Sequence, residues 1–183
     1  MRTSAQVYNL SVMGAMIERL GATRAEEWAE GVVANFARNP QGSDTSLLLS
    51  VAAGECGVTI ANHYYYLRLK TSRISSELAA AEILQPIFPN QDGVGTHVNI
   101  SGAGVLMHAP HREAAIRFLE YLASDEAQRI FVASSDEYPA VMSAGLTDNL
   151  IALGEFKADP VNVSVYGTNQ AQAQMIFDRA GWN

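Results

Sequence analysis

Apolar residues recur at helical spacing over much of the chain. Val12, Met13, Met16, Ile17 and Leu20 form one stripe over residues 9–20, closed by Gly21. Trp28, Val32 and Val33 supply the face of a second helix, for which Thr23 and Glu26 have the capping-box spacing. After the Asn35–Gly42 loop, Ser43 or Asp44 is placed to cap a third helix. That helix carries Leu47, Leu48, Leu49 and Val51 and stops at Gly54. Val58-Thr59-Ile60-Ala61 is a short β-rich run after a glycine turn and predicts a strand. The tyrosine-rich segment at residues 62–69 follows it directly.

Residues 76–84 predict a further helix, and Pro89-Asn90-Gln91-Asp92-Gly93 is a turn cluster. Residues 96–100 and 104–107 read as extended. Pro110 opens a helix with Ile116, Leu119 and Leu122 on one face, and Ser124 caps the next. Residues 134–168 read as irregular with short elements at most, and a last helix covers about 170–180. Helix, turn, strand and a new segment at the strand's carboxyl end make an α/β pattern. Ligands in such sheets bind beyond the carboxyl ends of strands, which is where the tyrosines fall.

Composition narrows the function. The net charge is −7, which disfavours nucleic acid as a partner because such binding needs a basic face. The first residues carry no apolar h-region, so no signal peptide is expected in this chain. One cysteine, Cys56, excludes an intramolecular disulfide and any multi-cysteine metal site within one chain. It reads as a turn residue. Gly93-Val94-Gly95 and Gly102-Ala103-Gly104 are half-patterns of a phosphate loop and read as turns. His97, His108 and His111 lack metal-ligand spacing. No nucleophile elbow, zinc-protease helix or P-loop is present, and no enzyme chemistry is visible.

Tyr64-Tyr65-Tyr66 is the unusual feature, three of seven tyrosines in succession. Adjacent side chains diverge in a regular helix or strand, but at a strand-to-helix corner they can converge. A phenolate is a hard anionic donor. The free phenol ionises near pH 10, so a strong cation such as Fe³⁺ is needed to displace its proton near neutrality. Amphipathic packing and sugar stacking remain open for the triplet by itself.

Val58-Thr59-Ile60-Ala61-Asn62-His63-Tyr64-Tyr65-Tyr66 resembles the dityrosine segment of bacterial ferric-iron-binding proteins, the solute-binding components of iron(III) ABC transporters. Further matches follow in order, among them Phe88-Pro89-Asn90-Gln91-Asp92-Gly93, Gly95-Thr96-His97-Val98-Asn99-Ile100-Ser101-Gly102 and Ile176-Phe177-Asp178-Arg179-Ala180-Gly181-Trp182. The resemblance implies an α/β, periplasmic-binding-protein type II-like lobe. Only the C-terminal portion is matched, with the N-terminal lobe largely missing. Residues 1–95 would form the metal-binding lobe, and 96–183 would be crossover segments and helices packing on that missing lobe.

By the same resemblance, Tyr64 and Tyr65 are ferric ligands and Tyr8 is a third, used by one branch of the family. Tyr66 lies beyond the ligand pair. Asn62 is a candidate to support a synergistic anion, which in some relatives completes the iron shell. The implied partners are ferric iron and an inner-membrane permease, and the implied location is the periplasm. A lobe without its companion would expose apolar surface, which favours homo-oligomers. The alternatives are a binding lobe for an anion or a sugar, or a truncated fragment without function.

Overall fold

The computed structural model describes residues 1–183 and divides the chain into two compact units. The first is Met1–Asn99 with Phe156–Asn183, and the second is Ile100–Glu155. This division differs from the expected break at 95/96, because the C-terminal segment returns to the first unit.

In the first unit, α1 (Val7–Leu20), α2 (Ala22–Ala34) and α10 (Gln170–Ala180) pack on one another, and α9 (Ser164–Thr168) lies against α1. The helical spacing in α1 has a direct consequence: Leu10, Met13 and Ile17 lie on its inner face. They meet Ala25 and Ala29 of α2 and Ala173, Ile176 and Phe177 of α10. Trp182 is fully buried among them, with Phe36 edge-on at 5.1 Å and Phe177 tilted at 4.7 Å between ring centroids. Its indole N–H donates to the Arg2 carbonyl at 3.0 Å, so the largest buried ring also ties down the N-terminal segment.

Two further contacts hold that segment. Asn9 Nδ2 donates to the carbonyls of Arg2 and Thr3 at 2.8 and 2.9 Å, and Arg2 pairs with the buried carboxylate of Asp44 at 2.9 Å. The start of α1 is thereby fixed in place. Gly14 lets α9 approach: a Cβ there would lie 3.1 Å from the Tyr166 Cα.

A second, smaller core joins α3 (Asp44–Ala52), α4 (His63–Lys70) and α5 (Ser75–Ile83) through Leu48, Leu69 and Ala81. Tyr65 and Tyr66 pack against it. Ser43 caps α3 in a capping box with Ser46. The box expected at Thr23 and Glu26 does not form. Gly21, at φ 79°, holds the N-cap position, and Glu26 instead accepts two hydrogen bonds from Arg179 of α10 at 2.6 and 2.7 Å. Arg179 beside it holds the Glu26 carboxyl below its usual range.

The expected strand at 58–61 is not formed, and the α/β expectation is not met: the chain is helical and carries no β-ladder. Val58 is 80% exposed and Ile60 51% exposed. A β-rich run becomes a strand only when a neighbouring chain satisfies its N–H and C=O groups, and here none lies alongside. The one β-pairing is a parallel bridge between Thr96 and Ala158. Thr96 N donates to Lys157 O, and Asp159 N donates to Thr96 O, each at 2.8 Å. Gly95 makes it possible, since a Cβ there would sit 2.7 Å from the Ala158 backbone at φ 101°.

The second unit holds α6 (Arg112–Leu122), α7 (Asp125–Ser135), a single 3₁₀ turn at Met142–Ala144 and α8 (Asp148–Ala152). Helix α6 begins two residues after Pro110. The Ser124 cap on α7 forms as expected, with its hydroxyl accepting from Ala127 N at 3.3 Å. Ala127, Val132 and Leu150 are buried. No helix of the chain is long and apolar enough to cross a membrane.

Candidate metal centre

Tyr8 is the second residue of α1, whose first backbone N–H is capped by the Gln6 side chain. Tyr64 and Tyr65 are the second and third residues of α4. The two helix starts face each other. Tyr64 O–H donates to Tyr8 Oη at 3.1 Å, joining residues 56 apart in sequence. The Tyr65 hydroxyl is close enough to those of Tyr8 and Tyr64 to influence their ionisation and be influenced by it. The Tyr64 and Tyr65 rings are tilted, with centroids 4.5 Å apart. Adjacent tyrosines thus do converge at the first turn of a helix. Tyr66, like the Tyr65 ring, packs against the α3–α4–α5 core.

Burial pushes the Tyr64 phenol well above its ordinary range, and the hydrogen bonds with Tyr8 and Tyr65 push it further. Tyr65 is raised for the same first reason, aided by its bond with Tyr8 and by the Asp44 charge. At Tyr64 one hydrogen bond opposes this. Asn62 Nδ2 donates to Tyr64 Oη at 3.1 Å, which favours the ionised form. The Arg68 guanidinium carbon lies 5.1 and 5.2 Å from the Tyr64 and Tyr65 ring centroids, within cation–π range.

Asn62 is the N-cap residue of α4, yet its side chain makes no capping bond. An N-cap asparagine ordinarily accepts from the helix backbone. Here its Nδ2 serves Tyr64, and its Oδ1 accepts from Asn99 Nδ2 at 3.0 Å. Asn99 Oδ1 in turn meets His97 Nε2 at 3.2 Å and accepts from the Ser11 hydroxyl.

The residues singled out in the sequence are therefore brought together: Tyr8, Tyr64, Tyr65 and Asn62 form one constellation. Arg68, Ser11, His97 and Asn99 were missed. Arg68 was detectable as the residue four beyond Tyr64 on one helix face. Ser11 was detectable likewise, three residues beyond Tyr8 on α1, whereas His97 and Asn99 join from a distant segment and left no local signal. No group of three His, Cys, Asp or Glu side chains is arranged to hold a metal.

The model of the bacterial extracellular solute-binding proteins matches residues 10–134. The chain belongs to that family. Its relatives are solute-binding proteins, not enzymes, and iron uptake is prominent among them. Iron uptake protein A2 of Synechocystis is 45% identical over 99% of this chain and 53% of its own length. The major ferric iron-binding protein of Neisseria meningitidis is 25% identical over 91% of the chain and 48% of its own. The solved Trichodesmium protein IdiA (FutA), in complex with iron and citrate, is 48% identical with a TM-score of 0.96. It is covered over 58% of its length by the whole of this chain. The chain thus spans about half the length of the curated relatives it matches and shares the fold of that portion of a ferric-binding protein.

Proposed function

We propose that this chain binds ferric iron through the phenolate oxygens of Tyr8, Tyr64 and Tyr65, as part of the solute-binding component of an iron(III) ABC transporter. The observation that carries the reading is the meeting of three phenols from two helix starts, with Tyr64 Oη and Tyr8 Oη 3.1 Å apart. Fe³⁺ is a cargo hard and highly charged enough to displace protons from phenols that burial has made reluctant acids. Three tyrosinates balance the ion's own three charges, which lowers the cost of burying it. Asn62 favours the ionised Tyr64 phenol from outside the donor set.

Three phenolates leave an octahedral ion short of donors. The remaining positions fall to a bound anion, to water, or to residues from the part of the relatives' length beyond this chain. Citrate accompanies iron in the Trichodesmium relative and is the anion class proposed here, with Asn62 beside it. A periplasmic setting and delivery to an inner-membrane permease complete the proposal and follow the family's extracellular, solute-binding character.

The test is a visible-absorbance titration of the purified protein with ferric citrate. A tyrosinate-to-iron charge-transfer band saturating at one iron per chain is expected. It should be absent when Tyr64 and Tyr65 are both replaced by Phe. A band of equal strength in that variant would overturn the ligand assignment.

A further inference from the structure

The side chains behind Tyr64 form a chain of hydrogen bonds with a single consistent direction. It starts at His97, whose ring is largely buried and tilted against Tyr166 at 5.0 Å between centroids. Its Nδ1 has no partner. Burial lowers the imidazole's proton affinity, so the ring is neutral and carries one N–H. An orphaned buried donor is costlier than an under-satisfied acceptor, which places that hydrogen on Nε2. There Asn99 Oδ1 and Ser11 Oγ each lie at 3.2 Å. The Ser11 hydroxyl donates to the Tyr8 carbonyl at 2.8 Å and to Asn99 Oδ1, so the Asn99 oxygen faces both Ser11 and His97.

Every later orientation then follows. With Oδ1 turned to His97 and Ser11, Asn99 presents Nδ2 to Asn62, and Asn62 Oδ1 accepts it at 3.0 Å. Asn62 is left with only its own Nδ2 to offer Tyr64, at 3.1 Å. Tyr64 Oη accepts that bond, and its hydrogen goes to Tyr8. Reversing any one amide would set two donors or two acceptors face to face.

We infer that Asn99 is a positioning residue of the tyrosine site: acting through Asn62, it locks an N–H donor onto the Tyr64 oxygen. The donor remains in place when the Tyr64 proton leaves, and a hydrogen bond to the resulting phenolate is stronger than one to the phenol. Its consequence for iron rests on the ferric reading above, whereas the orientation itself does not.

Two measurements test it. In metal-free protein with ¹⁵N-labelled asparagine, the Asn62 side-chain amide should respond in NMR to Tyr64→Phe. In Asn99→Asp the new carboxylate only accepts, so Asn62 turns its N–H groups toward it and the response to Tyr64→Phe disappears. A response that survives Asn99→Asp overturns the inference. The second measurement is ferric affinity by competition with nitrilotriacetate. Asn99→Asp and the uncharged Asn99→Leu should each weaken binding by about tenfold or more. Neither should change it further in an Asn62→Ala background, where the path to Tyr64 is already cut. Equal losses with and without Asn62 would overturn the relay while leaving the ferric reading intact. If the unaltered protein gives no ferric band, the ferric reading falls and the amide experiment still decides the relay.

Discussion

The core around Trp182 and the phenols around Tyr64 are both built on α1, yet they are held by different forces. Trp182, Phe177, Met13 and Ile176 are stabilised by removal from water, which has no direction and tolerates small shifts. Tyr8, Tyr64, Asn62 and Asn99 are held by hydrogen bonds in which each group has one permitted orientation. The first region supplies stability and the second supplies chemistry. The same difference appears at the helix ends. Ser43 and Ser124 spend their hydroxyls on capping, whereas Asn62 leaves α4 uncapped to serve Tyr64.

The comparison breaks most completely at the tyrosines. Tyr64→Phe with Tyr65→Phe should remove ferric binding, a loss of at least about a thousandfold by competition with nitrilotriacetate. Its cost in stability should stay near 1 kcal/mol per lost hydrogen bond in urea denaturation.

Next is pH. Burial keeps Tyr64 and Tyr65 protonated in the metal-free protein well above neutrality, so each must release a proton to bind iron. Affinity should therefore rise with pH, by about tenfold per pH unit for each phenol and about a hundredfold for the pair, and fall as pH is lowered. Isothermal titration in buffers of differing ionisation enthalpy would count the protons released.

Trp182→Ala should act on the other region. A loss of about 3–5 kcal/mol in stability is expected, as for other buried tryptophans. The molecules that remain folded should keep their ferric colour.

The smallest effect links the regions. Gly14→Ala puts a Cβ against the Tyr166 backbone, and Tyr166 O–H donates to the Val98 carbonyl at 2.9 Å. A loss of about 1–3 kcal/mol is expected from overpacking, with a smaller change in iron affinity passed through the His97–Asn99 segment.

Legibility in the sequence follows the same divide. Periodicity located α1 and α10 closely, because apolar burial writes its 3.6-residue repeat into a contiguous stretch. The Ser43 and Ser124 caps were legible for the same local reason. The strand at 58–61 was misread because β-propensity does not reveal whether a pairing neighbour exists, and here Val58 and Ile60 stand exposed. The Thr23 box failed because Glu26 found a distant partner in Arg179, which a local pattern cannot show.

At the site, the tyrosine triplet was conspicuous, but Tyr8 entered only through family resemblance. The relay was invisible. Ser11, Asn62 and Asn99 are common polar residues on three separate segments, and their donor and acceptor roles exist only once the fold joins them.

The central claim is that phenols from α1 and α4 hold one ferric ion, and resonance Raman spectroscopy excited in the visible band addresses it most directly. Enhanced tyrosinate ring modes are predicted for the iron-loaded protein, weakened by Tyr8→Phe and lost in the Tyr64/Tyr65 double variant. An iron-loaded protein whose spectrum lacks tyrosinate modes would contradict the account.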